Sequence, residues 1–143
     1  MVTLLGKFKP LGLLLLALVA ACSTVQRSSV SQPDANFAIV YFYRTDSSPG
    51  AVVGVDLKDN GIDIGTLQDG TYFVYHANPG EHVLSATTET TSTKNFNLQA
   101  GATYYIKADV VPTQKIFQPS LDVVFDLQGE AAVQNLSRLG YQE

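Results

Sequence analysis

The chain has one cysteine and no tryptophan among its 143 residues. It also lacks any apolar run long enough to cross a bilayer. The uncharged stretch from Pro10 to Ala21 falls well short of the roughly 20 residues a spanning helix needs. One thiol cannot form an intramolecular disulfide, and it excludes zinc sites of the cysteine-rich kind. Basic charge is scarce as well, with nine Lys and Arg against thirteen Asp and Glu. Such a balance is a poor electrostatic match for nucleic acid or for anionic lipid headgroups. No Gly-x-Ser-x-Gly elbow is present, so serine-hydrolase chemistry has no motif to rest on. Asp56 to Gly61 begins like a calcium loop but places Lys58 at position three and Leu67 at position twelve, where ligands are required. A hairpin turn accounts for those residues better.

What the chain does have begins at its N-terminus. Lys7 and Lys9 precede Leu11-Gly12-Leu13-Leu14-Leu15-Leu16-Ala17-Leu18, and Val19-Ala20-Ala21 leads directly into Cys22. A charged segment, a short apolar segment and a small-residue cleavage site make a secretory signal. An ordinary cleaved signal or an uncleaved anchor are the plainer alternatives. With cysteine right after the cut, Val19, Ala20, Ala21 and Cys22 resemble the lipobox of a bacterial lipoprotein. That resemblance implies acylation of Cys22, with palmitate-type chains fixing the protein to a membrane. Each buried methylene contributes ~0.8 kcal/mol, so several chains hold without help from the folded domain. Ser23 rather than Asp follows the cysteine, which in such lipoproteins favours the outer membrane, facing the periplasm. Loss of residues 1–21 takes Lys7 and Lys9 with it. The remaining 122 residues then carry seven basic against thirteen acidic groups, a formal charge of −6, so the lipid anchor must supply membrane attachment.

Residues 22–35 are polar and serine-rich and read as an acylated cysteine with a flexible tether. Residues 36–143 read as one domain. Phe37 to Arg44 is apolar on both alternating faces, as expected of a central strand covered on both sides. Asn60-Gly61 between two alternating runs predicts a type I′ hairpin. Further turns are expected at Asp69-Gly70, Asn78-Pro79-Gly80 and Ala100-Gly101. In Thr103 to Val110 the alternation puts Tyr104, Ile106, Ala108 and Val110 inward, Lys107 and Asp109 outward. A proline-containing loop from Val111 to Ser120 precedes a last strand, Leu121 to Leu127. Ala132, Val133, Leu136 and Leu139 then recur at helical spacing before Gly140, so a helix is expected over 130–139. The fold class is all-β: an antiparallel β-sandwich of seven to eight short strands with one C-terminal amphipathic helix.

Ile39 to Arg44, the Val-Asp hairpin with Ile64-Gly65, Gly70-Thr71-Tyr72, Asn78-Pro79-Gly80-Glu81-His82 and Leu98 to Tyr105 occur together and in this order. They resemble the domain-of-unknown-function family 2846 of small bacterial lipoproteins over about Phe37 to Val110. The Pro-Gly-x-His turn and the Gly-x-Thr-Tyr-Tyr strand are also similar to PEGA-type and transthyretin-like β-sandwiches. The resemblance implies a non-catalytic module without cofactor, and carries over no catalytic residue.

Two candidate sites remain. A hairpin centred on Pro79 would set His76 opposite His82, close enough to share a metal; the plainer reading is two locally bonded rings, and no third ligand stands at a suitable spacing. Seven Tyr and seven Phe mostly serve packing. Any left exposed, with Tyr72, Tyr75, Ile116 and Phe117 as candidates, would make a contact surface, unless Ile116 and Phe117 fold under as a lid on the core. Asp56, Asp63 and Glu89 would be the carboxylates to pair, but no motif singles them out. The expected function is a lipid-anchored binding or scaffolding module with a protein or glycan partner in the cell envelope. The alternative is an inhibitor of an envelope-directed hydrolase, such as lysozyme or a protease, plugging the active site with Ile116-Phe117.

Overall fold

The computed structural model describes residues 35–46 and 50–140. The signal segment 1–21, Cys22 and the tether up to residue 34 lie outside the described residues. Among the described residues, nine strands form two facing sheets, accompanied by one short helix. The chain visits them alternately. Strand β1 (Ala38–Tyr43) starts the first sheet, and β2 (Val55–Asp59) with β3 (Ile62–Leu67) starts the second. Strand β4 (Thr71–Ala77) returns to the first, and β5 (Gly80–Thr87) with β6 (Thr91–Leu98) completes the second. Then β7 (Thr103–Pro112), β8 (Phe117–Val124), helix α1 (Asp126–Val133) and β9 (Ser137–Arg138) close the first. Strand order is β8-β7-β1-β4-β9 in one sheet and β3-β2-β5-β6 in the other.

The five-stranded sheet is mixed rather than antiparallel throughout. Strands β1 and β7 pair in parallel, as do β4 and β9. Parallel neighbours need a long connection, and the excursions through the second sheet provide it.

Strand β1 sits between β4 and β7 and is covered on both faces. Ala38, Val40 and Phe42 enter the core between the sheets with Leu57, Leu84, Leu98 and Ile106. Tyr43 lies on the other face with Tyr105 and Val133, beneath α1, with Tyr41 and Tyr72 packed against them. Tyr41 stacks on Tyr105 with ring centroids 5.0 Å apart.

The hairpin at Asn60-Gly61 forms as expected, with φ of 49° and 83°, the positive pair that a type I′ turn requires. The turn at Asn78-Pro79 is different. Strand β4 pairs with β1 and β9, and β5 with β2 and β6. The turn is therefore a crossover between sheets. His76 stands opposite Ile39 and His82 opposite Phe96, so the cross-strand histidine pair does not exist.

The C-terminal segment also departs from its expected period. The helix covers Asp126–Val133 and buries only Gly129 and Val133, while Leu127 is left exposed. It is not the amphipathic helix over 130–139. Beyond it, the Ser137 N–H donates to the Gly70 carbonyl at 3.0 Å and the Leu139 N–H to the Tyr72 carbonyl at 2.8 Å. The unpaired edge of β4 outcompetes continuation of the helix. The expected loop before the last strand is largely strand: β7 runs to Pro112 and β8 starts at Phe117. Because β8 is an edge strand, Pro119 is tolerated within it despite its missing donor.

Candidate functional site

The two lateral sides of the sandwich are closed unequally. On one side β6 meets β8. Lys94 Nζ donates to the Leu121 carbonyl and, at 3.0 Å, to Asp122 Oδ1. Just beyond, Thr88 Oγ1 donates to the Phe117 carbonyl at 2.6 Å, and the Phe117 N–H to Glu89 Oε2 at 3.1 Å. Side chains from one sheet thus satisfy backbone groups of the other.

On the opposite side the outer strands are β3 and the two-residue β9. A groove of about 480 Å³ opens there, lined by β3, the middle of β4 and the segment through Gly140. Its apolar lining includes Ile64, Phe73, Tyr75 and Leu139, and Asp63 and Arg138 place opposite charges along it. Asp63 is already paired with Lys58 at 3.0 Å. Phe73 lies close against β3 because Gly65 has no side chain: a Cβ there would stand 3.1 Å from the ring, and its φ of 148° suits glycine alone. Behind Phe73, Phe42 sits 5.5 Å away, centroid to centroid, and anchors it to the core.

Tyr75 connects the groove to a buried polar cluster. Its hydroxyl donates to Asp59 Oδ2 at 2.8 Å, and His82 Nδ1 lies 2.7 Å from the same oxygen. The other ring nitrogen of His82, Nε2, is 2.7 Å from the Asn78 carbonyl. Both nitrogens therefore face acceptors, and the two bonds form together only when the ring carries both protons. Asp59 and His82 are buried. Asp59 Oδ1 is buried with no hydrogen-bond partner among the described residues. Burial first, then the bond and the nearby charge of Asp59, push the Tyr75 phenol up to about 12. This cluster ties β2, β4, β5 and the crossover together across the two sheets.

Sequence reasoning missed two of these anchors. Asp59 reads as the residue before a tight turn, and its partners lie 16 and 23 residues away. Arg44 closes a strand motif in the sequence, yet in the fold it is fully buried. Its Nη1 donates to the Val53 carbonyl and its Nη2 to the Gly50 carbonyl at 2.8 Å, while Nε stands 3.7 Å from Asp69 Oδ1. It pins the loop after β1 to the turn before β4.

The other sequence candidates scatter. His76 is exposed on β4 while His82 is buried on β5. Tyr72 packs on the helix side of its sheet and Tyr75 on the core side, so they do not share a surface. Phe117 packs against the core with both backbone groups tied, which leaves Ile116, 38% exposed, as the open part of that loop. Asp56 accepts from Thr66 Oγ1 at 2.6 Å. Among the described residues no group of three or more His, Asp, Glu or Cys could hold a metal ion, and no helix is long and apolar enough to cross a membrane.

The groove thus offers an aromatic floor, a strand edge and one residue of each charge. It is suited to holding a ligand. Comparison with curated proteins yields no match. The profile of the family described as "protein of unknown function (DUF2846)" matches residues 34–119, spanning β1 through the start of β8 and with it Asp59, Tyr75, His82 and the β3 wall of the groove. The chain belongs to the DUF2846 family.

Proposed function

We propose that this protein is a lipid-anchored envelope lipoprotein whose β-sandwich is a non-catalytic binding module, taking an extended polypeptide segment into the groove beside β3. The observation that carries the reading is the unequal closure of the sandwich. The β6–β8 side is sealed by side-chain bonds to backbone, whereas β3 leaves one edge unpaired beside an aromatic floor. An unpaired strand edge offers main-chain donors and acceptors to an added strand, and adjacent pockets select its alternate side chains. The six residues of β3 would pair with a segment of about 20 Å. Asp63 and Arg138 would orient its charges. The lipobox at Val19 to Cys22 supports the anchor, and the Ser23 that follows supports the outer membrane, facing the periplasm. The two-sheet build agrees with the likeness to PEGA-type and transthyretin-like modules.

The test uses a photo-crosslinking amino acid in place of Thr66, an exposed groove residue, in intact cells. The same group in place of Thr93, exposed on β6, is the comparison. Discrete protein adducts from position 66 and none from 93 are expected. Adducts equal at both positions, or carbohydrate adducts at 66, would reject an extended polypeptide as the occupant.

A further inference from the structure

We infer that the folded domain rests on the bilayer that anchors it, with Phe125 and Leu127 entering the lipid interface. This rests on the lipoprotein reading of Cys22.

Phe125 and Leu127 are 83% and 84% exposed, and Val123 two residues earlier is 56% exposed. Soluble surfaces scatter such side chains singly, and a run of them marks a contact site. Their place in the fold says what they meet. Strand β1 starts level with β7, with Ile39 opposite Thr103. Strand β8 runs back along β7 and makes its last pair, Val124, with Tyr105. Phe125 therefore lies level with Tyr104 and Val40, in the half of the sheet nearer the start of β1. The tether arrives at the same end: the Gly101 N–H donates to the Phe37 carbonyl at 2.9 Å, and the Ala35 Cα lies 4.0 Å from where a Gly101 Cβ would stand.

Twelve residues separate Cys22 from Ala35, and an unstructured linker of that length would span roughly 20 Å. A linker that short holds the apolar end at a high effective concentration over the lipid, of the order of mM, so a contact too weak to recruit a free protein suffices to orient a tethered one. Chemistry selects the type of surface. The turns at this end, Asn78-Pro79 and Gln99-Ala100-Gly101, carry no charge. Asp126 and Glu130 flank Leu127 on the helix and oppose anionic headgroups. The surface is therefore zwitterionic. Docked this way, the domain holds the Val52 loop, pinned by Arg44 beyond the other end of β1, away from the membrane.

The absence of native tryptophan allows a direct test. The acylated full-length Phe125→Trp protein is reconstituted into phosphatidylcholine vesicles with brominated acyl chains, and its flotation is measured in the same sample. The comparison is Val52→Trp, at a position 93% exposed at the far end. A blue shift and bromine quenching at position 125, neither of them at 52, and a weaker effect with phosphatidylglycerol added, are expected. Protein that floats but shows no quenching at 125 overturns the inference and leaves the anchor standing. Protein that does not float overturns both. A blue shift that grows with protein concentration in unbrominated detergent assigns the patch to a second copy and overturns the bilayer contact.

Discussion

Asp59 holds Tyr75 and His82 through one carboxylate oxygen, and the consequence is measurable at alkaline pH. Folding keeps the Tyr75 phenol neutral up to about 12, against 10.0 for an unperturbed tyrosine. The unfolded chain therefore loses this proton first. The contribution of Tyr75 to stability is fully present below pH 10 and is lost as pH rises through about 12. Tyr43 and Tyr105 are displaced in the same direction, chiefly by burial, and add to the loss. Tyr75→Phe should lower stability near pH 8 by about 1–3 kcal/mol, since a bond to a charged group is lost. It should also make the decline above pH 10 shallower. Denaturant midpoints of both proteins at pH 8 to 12 check this, and equal steepness would remove Tyr75 from the account. Tyr75 and His82 stood out in the sequence as candidates, but their meeting at Asp59 was not legible there. The Asn60-Gly61 turn beside it was, because a two-residue turn is a local demand on φ. The partners of Asp59 are joined only by the packing of one sheet on the other.

The elements show the same division. Strand β1 was legible as doubly covered because both of its faces are apolar over seven residues. The partner choice of β4 and β5 was not, because a Pro-Gly turn looks the same whether it closes a hairpin or passes between sheets. Helix α1 marks the boundary between the two cases. Its apolar residues Ala132 and Val133, with Leu136 just beyond its end, do pack on the tyrosine face, but their spacing gave no sign that β4 would capture the chain at Ser137. Gly129 decides how α1 sits. A Cβ there would lie 2.2 Å from Tyr105 Cγ and 2.3 Å from its Cβ, and Tyr105 is held against Tyr41. In an open helix Gly→Ala would gain about 1 kcal/mol. Here the clash involves the base of a buried ring rather than a flexible tip, and overpacking costs about 1–3 kcal/mol. Gly129→Ala should therefore destabilise the domain, as read from its urea midpoint. A raised midpoint would mean that α1 does not press on Tyr105.

Across the whole molecule, the open groove was the least legible feature, because an edge is a property of strand order. Nothing local in Ile62 to Leu67 says that these residues have a neighbour on one side only, and the short β9 facing them comes some 70 residues later in the chain. The same order sets the hierarchy of local stability. Opening free energies range from near zero to the global value, and the low end belongs to elements with few buried contacts and exposed hydrogen bonds. Strands β1 and β7 lie inside their sheet and bury Val40, Phe42, Ile106 and Ala108 completely. Strand β3 is hydrogen-bonded along one edge and buries only Leu67, and β9 is two exposed residues. Native-state hydrogen exchange should show β9 amides opening first, those of β3 next, and those of β1 and β7 only on global unfolding. Strand β6 is also an edge, yet Lys94 fastens it to β8, so it should exchange more slowly than β3. Lys94→Met should bring the two edges closer together in rate while leaving β1 unchanged. If β3 instead exchanges with β1, the groove wall is as rigid as the core. A partner could then be taken up only as a rigid fit, whereas early opening of β3 and β9 gives the groove the freedom to close around an added strand.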